Sequence, residues 1–239
     1  MPVISFFRMS IAQNLEAVRA RIETAARKCG RNPHEISLMA VSKTFPADAI
    51  REACAAGQRL FGENRVQEFE SKAPALAGLT GTQFHMIGHL QSNKSRKAVE
   101  LFHGIESVDS IKLADRLDSA AAELNKTLPV VLEINVGGED AKSGLSLDWT
   151  EVEPLLSNAQ RWQNLEIRGL MAVPPFTDDP EGARPYFRRL RELRDEIARR
   201  NFPCVSMDTL SMGMSHDFEV AIEEGSTCVR VGTAIFGTR

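Results

Sequence analysis

Residues 36–43 read ISLMAVSK, a nearly continuous apolar run of strand length that ends on a lysine. A strand wetted on one face alternates apolar and polar residues, whereas an unbroken run belongs to a strand buried on both faces, as in a parallel sheet covered by helices. Seven further runs of strand character follow, at 59–62, 83–87, 104–108, 130–135, 167–173, 207–212 and 228–232. Helical stretches separate them and no hairpin signal joins any two, which predicts a parallel sheet. The count of eight points to closure rather than an open sheet. The expected fold class is therefore α/β, a single (β/α)₈ TIM-type barrel. No Pro/Gly/Ser-rich linker or repeat divides the chain, so residues 1–239 are read as a single domain.

A helix stands in front of the first strand as an addition to the barrel. Ser10 is placed to cap it, and Ile11, Leu15, Val18 and Ile22 recur at helical spacing. Gly30 and the Asn32-Pro33 pair stop it. The clearest later helix is 180–200, with Ala183, Phe187, Leu190, Leu193 and Ile197 on one face. Its seven arginines are expected to face water, with Arg188–Glu192 and Arg191–Asp195 at i,i+4 spacing. Such a charged run reads as a solvated face without functional weight.

The chain has 239 residues, 43% of them hydrophobic, enough to bury a large core. Charged residues make up 26% and the formal net charge is −3, which argues against nucleic acid or an anionic membrane as a partner held by bulk positive charge. Cys29, Cys54, Cys204 and Cys228 are scattered with no CxxC spacing. Four free thiols fit a reducing compartment better than a disulfide framework or zinc ribbon. The opening MPVISFFRMS has an apolar patch too short for a signal-peptide core and no charged region before it, and no stretch approaches a membrane span. A soluble cytoplasmic protein is expected.

In such a barrel the active face is built at the C-terminal ends of the strands. The first strand ends in Val41-Ser42-Lys43, which puts an amine at the rim. A desolvated lysine is a nucleophile for an aldehyde; a rim lysine reaching to water is the competing reading. The seventh strand runs into Leu210-Ser211-Met212-Gly213-Met214-Ser215, and the eighth into Arg230-Val231-Gly232-Thr233. Small residues, hydroxyls and free amides after strands seven and eight are what a phosphate site in a barrel requires. Arg230 would hydrogen-bond a pyridine nitrogen if it points into the mouth, and its competitor is a salt bridge to Glu223 or Glu224. Asn64, in the segment Phe61-Gly62-Glu63-Asn64, reaches a ligand from the rim or merely caps a helix. His85 and His89 have the spacing of a helical metal pair, but in a strand they would stand roughly 13 Å apart, so no metal site is expected.

These segments together resemble the YggS/PROSC family of pyridoxal phosphate homeostasis proteins. The matching stretches are AVSKTFPADAI (40–50), FGENRVQE (61–68), FHMIGHLQSNK (84–94), EINVGGEDAKSGL (133–145), IRGLMAVPPF (167–176), LSMGMSHDFEVAIEEGST (210–227) and VRVGTAIFG (229–237). They span nearly the whole chain in order. The resemblance implies the fold of the alanine racemase N-terminal domain, the fold-type III barrel of pyridoxal 5′-phosphate (PLP) proteins. It implies PLP as cofactor, held as a covalent aldimine on Lys43. It also implies that Ser211, Gly232 and Thr233 hold the phosphate, that Arg230 faces the ring nitrogen, and that Asn64 and Met171 line the ring, with Ser215 among the cofactor-binding residues. Lys142 resembles an accessory cofactor lysine of the family.

Fold alone does not decide function. Racemases of this fold add a β-domain and borrow residues from a second subunit, whereas this sequence ends at Arg239, soon after the eighth strand. The lone tyrosine, Tyr186, lies on the arginine-rich helix and not at a strand end, so a second acid/base for a two-base racemase is not apparent at the mouth. The expected role is storage, buffering and delivery of PLP without catalytic turnover, by a monomer, with PLP-dependent apo-enzymes as recipients. The alternatives are a weak PLP-dependent amino-acid racemase and a Schiff-base aldolase that needs Lys43 but not the phosphate loops.

Overall fold

The structure is a computed structural model that describes residues 9–139 and 143–238. The accessory lysine expected at Lys142 lies outside the described residues. The chain opens with α1 (Ile11–Lys28), followed by β1 (Ser37–Val41), α2 (Ala47–Ala55), β2 (Leu60–Glu63), α3 (Val66–Leu76), β3 (Gln83–Met86) and α4 (Ser95–Leu101). It continues through β4 (Gly104–Val108), α5 (Ile111–Glu123), β5 (Leu128–Glu133), α6 (Trp149–Ser157), β6 (Leu165–Met171) and α7 (Arg184–Arg200). It ends with β7 (Val205–Ser211), α8 (Phe218–Glu223), β8 (Cys228–Val231) and α9 (Thr233–Phe236).

The eight strands form a closed barrel in sequence order, every neighbouring pair parallel. Closure runs between β1 and β8, where Ser37 pairs with Cys228 and Met39 with Arg230. The expected (β/α)₈ barrel with a leading helix is thus the architecture found. Because α9 is only four residues long, it leaves the outer face of the closing seam thinly covered. The leading helix fills that place: α1 lies against α2, α8 and α9, buries Leu15, Val18 and Ile22, and donates from the Asn14 side chain to the Ile235 carbonyl at 2.8 Å. Ser10 starts it with a full capping box, its side chain accepting from the Gln13 amide.

The register slips on both sides of β6, at Gly169. A Cβ there would sit 1.8 Å from the Thr209 carbonyl oxygen, so only glycine lets β7 approach. The sheet pairing of β6 stops at Met171, before Pro174 and Pro175, so the strand is two residues shorter at its C-terminal end than the apolar run suggests.

Two helical expectations need correcting on α7. Its apolar face is buried as read, but Arg188 and Arg191 do not pair with Glu192 and Asp195. Both reach the Glu224 carboxylate instead, at 3.2 and 2.8 Å, and Arg184 joins them at 3.0 Å. Glu224 is almost fully buried, and a buried carboxylate needs opposite charge far more than a solvated one does. Spacing along one helix cannot show that need. Among the described residues no helix is long and apolar enough to cross a membrane, and all four cysteines are free, two of them buried.

Candidate cofactor site at the barrel mouth

A cavity of about 380 Å³ opens at the C-terminal ends of the strands, and Lys43, Asn64, Ser215, Arg230, Gly232 and Thr233 line it together. Larger grooves exist on the surface, one of about 720 Å³ between the N-terminal ends of β6 and β7. The mouth is distinguished by convergent donors and a lone amine, not by size.

Lys43 follows β1 on a tight turn and is half-buried. Among the described residues its amine has no hydrogen-bond or ion-pair partner, which leaves its lone pair, once deprotonated, free to attack a carbonyl. Asn64 follows β2 on the neighbouring rim. It does not cap α3, whose cap position is Arg65 with no side-chain cap bond.

On the opposite side the loop after β7 meets the turn after β8. The Ser215 Oγ accepts from the backbone amides of Gly232 and Ala234, at 3.2 and 3.3 Å. Two amides aimed at one oxygen make a site that an anionic oxygen can also use. The loop is fixed from behind: the Asp217 carboxylate accepts the Met214 amide at 2.6 Å, and the Arg230 amide donates to the Gly213 carbonyl at 2.9 Å. Burial pushes the Asp217 carboxyl above its ordinary range, though that amide bond opposes the shift. Gly213 has φ of +93°, and a Cβ on it would lie 2.5 Å from Ala221 Cβ, so the turn requires glycine. Gly232 is less constrained, since a Cβ there would touch Val41 at an ordinary 3.4–3.5 Å.

Arg230 rises from β8 into the mouth and is 3% exposed. Glu223 and Glu224 are engaged by Lys28 and the α7 arginines, so the competing salt bridge to them is not formed. Its guanidinium donates to the Ser211 hydroxyl at 2.7 Å and to the Ala172 carbonyl at 2.8 Å. Ser211 passes the contact on, donating to Glu106 at 2.6 Å, and the other Glu106 oxygen meets His85 Nδ1 at 3.0 Å. Burial alone would raise the Glu106 carboxyl, but His85, Arg230 and Ser211 hold it below the ordinary carboxylate range. His89 stands apart from this chain, 3.6 Å from Asp109.

Six of the eight residues singled out from the sequence therefore share the cavity. Ser211 and Met171 do not line it: both are fully buried at paired positions of β7 and β6, with the Ser211 hydroxyl already committed to Arg230 and Glu106. Ala234, Glu106 and the rim residue His216 escape a reading of the sequence, and His85, which the sequence offered only as a metal ligand, meets Glu106 instead. Ala234 acts through its backbone, and the others gain meaning only from partners far along the chain. Chemically, the mouth offers an amine for an aldehyde, amides for a phosphate, and an arginine with N–H groups to spare beyond the two in use.

The sequence model of the family described as "Alanine racemase, N-terminal domain" matches residues 13–239. The pyridoxal phosphate homeostasis protein of Escherichia coli (strain K12) is 47% identical over 232 residues, covering 96% of this chain and 97% of that one. PipY of Synechococcus elongatus PCC7942, solved with PLP bound, is 40% identical with a TM-score of 0.83, covering 95% of this chain and all of that one. The alanine racemase of Corynebacterium glutamicum shares the fold at 18% identity and a TM-score of 0.68, with 94% of this chain matching 62% of that one. The barrel, its mouth and these likenesses agree: the chain belongs to the alanine racemase N-terminal domain family, in the group of the pyridoxal phosphate homeostasis proteins.

Proposed function

We propose that this protein binds pyridoxal 5′-phosphate through a Schiff base on Lys43 and stores, buffers and delivers it without catalytic turnover. The reading takes residues 1–239 as one domain, a cytoplasmic monomer whose recipients are PLP-dependent apo-enzymes. The observation that carries it is the sharing of one cavity by Lys43, whose amine has no partner among the described residues, by Ser215, whose Oγ gathers the amides of Gly232 and Ala234, and by Arg230. Relatives named pyridoxal phosphate homeostasis protein, and a neighbouring structure with PLP bound, support it.

When bound, PLP supplies an electrophilic carbon that exchanges between lysine and free amines. The protein's residues divide the rest. Ser215 and Thr233, with the amides of the β8 turn, hold the phosphate end. The Arg230 guanidinium carries donors and no acceptor, so it would face the ring nitrogen as a hydrogen-bond donor and leave that nitrogen as the acceptor. Such a ring draws electrons poorly, which suits retention over turnover. Asn64 borders the ring from the rim, and Ser211 and Met171 support the site from the layer beneath.

A second reading, a weak amino-acid racemase, has one observation in its favour. His216 lines the mouth, and its Nε2 lies 3.1 Å from the Asp178 carbonyl, which leaves Nδ1 available as a base. Tyr186 offers no such help, since it is packed against the core on α7.

The test loads the protein, removes free PLP, and mixes it with a PLP-dependent apo-enzyme while a parallel sample meets alanine in deuterium oxide. Regained apo-enzyme activity with no α-deuteration above the free-cofactor background is expected. Protein-dependent deuteration that disappears in His216→Ala would establish the racemase instead.

A further inference from the structure

We propose that Glu68 and Lys72, together with the buried Glu63, form a clamp that aims Lys43 into the mouth, and are positioning residues for the reaction of its amine. The proposal rests on the reading that Lys43 carries the aldehyde.

The residues on either side of Lys43 are both fastened, and to the same cluster. On the near side, Ser42 donates its hydroxyl to Glu63 at 2.8 Å, and its carbonyl accepts from the Lys72 ammonium at 3.2 Å. On the far side, the Thr44 amide donates to Glu68. Lys72 joins the halves, lying 3.1 Å from Glu63 and 2.7 Å from Glu68. Glu63 is fully buried at the end of β2, and Lys72 and Glu68 stand one turn apart on α3. The clamp therefore ties the end of β1 to the next strand and helix, at the point where the chain leaves β1.

What it holds is a conformation that the sequence would not choose. Thr44 has φ of +66°, a region that β-branched residues avoid. A threonine stays there only if surrounding bonds over-determine it, and the Glu68–Thr44 bond is the contact that catches its N–H. The Thr44 hydroxyl also turns back on the Lys43 carbonyl at 2.6 Å. The cluster's two carboxyls are pushed in opposite directions. Burial pushes the Glu63 carboxyl above its ordinary range, with Lys72 and Ser42 opposing the shift. Burial would raise Glu68 too, yet Lys72 and the Thr44 amide bring it below.

The Lys43 side chain, by contrast, takes no part in these bonds. Its neighbours hold the backbone on both sides while its amine has no partner among the described residues, which is the division of labour expected of a pre-aimed nucleophile. Lys72 lacks that freedom, because its ammonium is committed to three acceptor groups.

The test follows the rate at which the imine absorbance grows when PLP is added to wild type, Glu68→Ala, Glu68→Gln, Lys72→Met and Lys43→Ala, with a melting curve for each. Glu68→Ala, at a partly exposed position, is expected to melt like wild type but to load about tenfold more slowly, while Glu68→Gln, which keeps an acceptor for Thr44, stays within about threefold of wild type. Lys72→Met is expected to load slowly as well; should it not fold, the Glu68 pair decides alone. A folded Glu68→Ala that loads at the wild-type rate overturns the clamp, as does Glu68→Gln falling as far as Glu68→Ala. An unchanged band in Lys43→Ala would overturn instead the assignment on which the clamp depends.

Discussion

Arg230 and Glu106 are joined through a single hydroxyl, that of Ser211, which accepts from the guanidinium at 2.7 Å and donates to the carboxylate at 2.6 Å. A serine has one proton to give, and here it goes to the carboxylate. The pair thus balances charge inside the barrel without a direct ion pair, and leaves Arg230, which lines the mouth, with N–H groups beyond the two in use. His85 carries the chain toward a cavity of about 310 Å³ at the opposite end of the barrel.

Removing that hydroxyl takes a bond from two buried charged groups at once, leaving Glu106 with His85 and Arg230 with the Ala172 carbonyl. Ser211→Ala is expected to lower the unfolding free energy by about 3 kcal/mol, measured by urea denaturation. It should also weaken PLP binding, because Arg230 is no longer held in place. Wild-type stability in this variant would show that the link does not matter.

At the rim the expectation is the reverse, with binding affected more than folding. Ser215→Ala removes a hydroxyl that lies among the phosphate-ready amides of Gly232 and Ala234. The dissociation constant for PLP is expected to rise about tenfold, the worth of one charge-assisted hydrogen bond, with the melting temperature little changed. Equal affinity in a titration would remove Ser215 from the phosphate site.

Glu224 gives a pH dependence. Burial works to raise its carboxyl, but Arg188, Arg184 and Arg191 hold it below the ordinary range. A depressed folded-state value stabilises the fold above the unfolded value, about 4.3, and the contribution is lost as pH falls through the lower folded value. Glu224→Gln should cost about 2 kcal/mol at neutral pH, and the difference from wild type should shrink steadily below about pH 4. A deficit independent of pH would mean that packing, and not charge, holds α7 to α8.

The barrel was legible because strands buried on both faces leave unbroken apolar runs, and eight of them separated by helices leave few topologies. Strand limits were less so. The run at 130–135 becomes Leu128–Glu133, since pairing of Leu128 with Leu165 sets the start and apolar character does not. Lys43, Ser215 and Arg230 were readable because strand ends are where such barrels place chemistry. Glu63, Glu68, Lys72 and Glu106 were not, because a charged residue in a strand or helix says nothing of the partner that compensates it. The arginines of α7 misled for the same reason: their i,i+4 neighbours were visible, and the buried Glu224 was not.

Lys43 is the residue proposed to hold PLP. The direct measurement is borohydride reduction of the PLP-loaded protein, followed by digestion and mass spectrometry of the peptides. A phosphopyridoxyl group on Lys43, absent from Lys43→Ala, is the predicted result. The group on another lysine, or on none, would contradict the account.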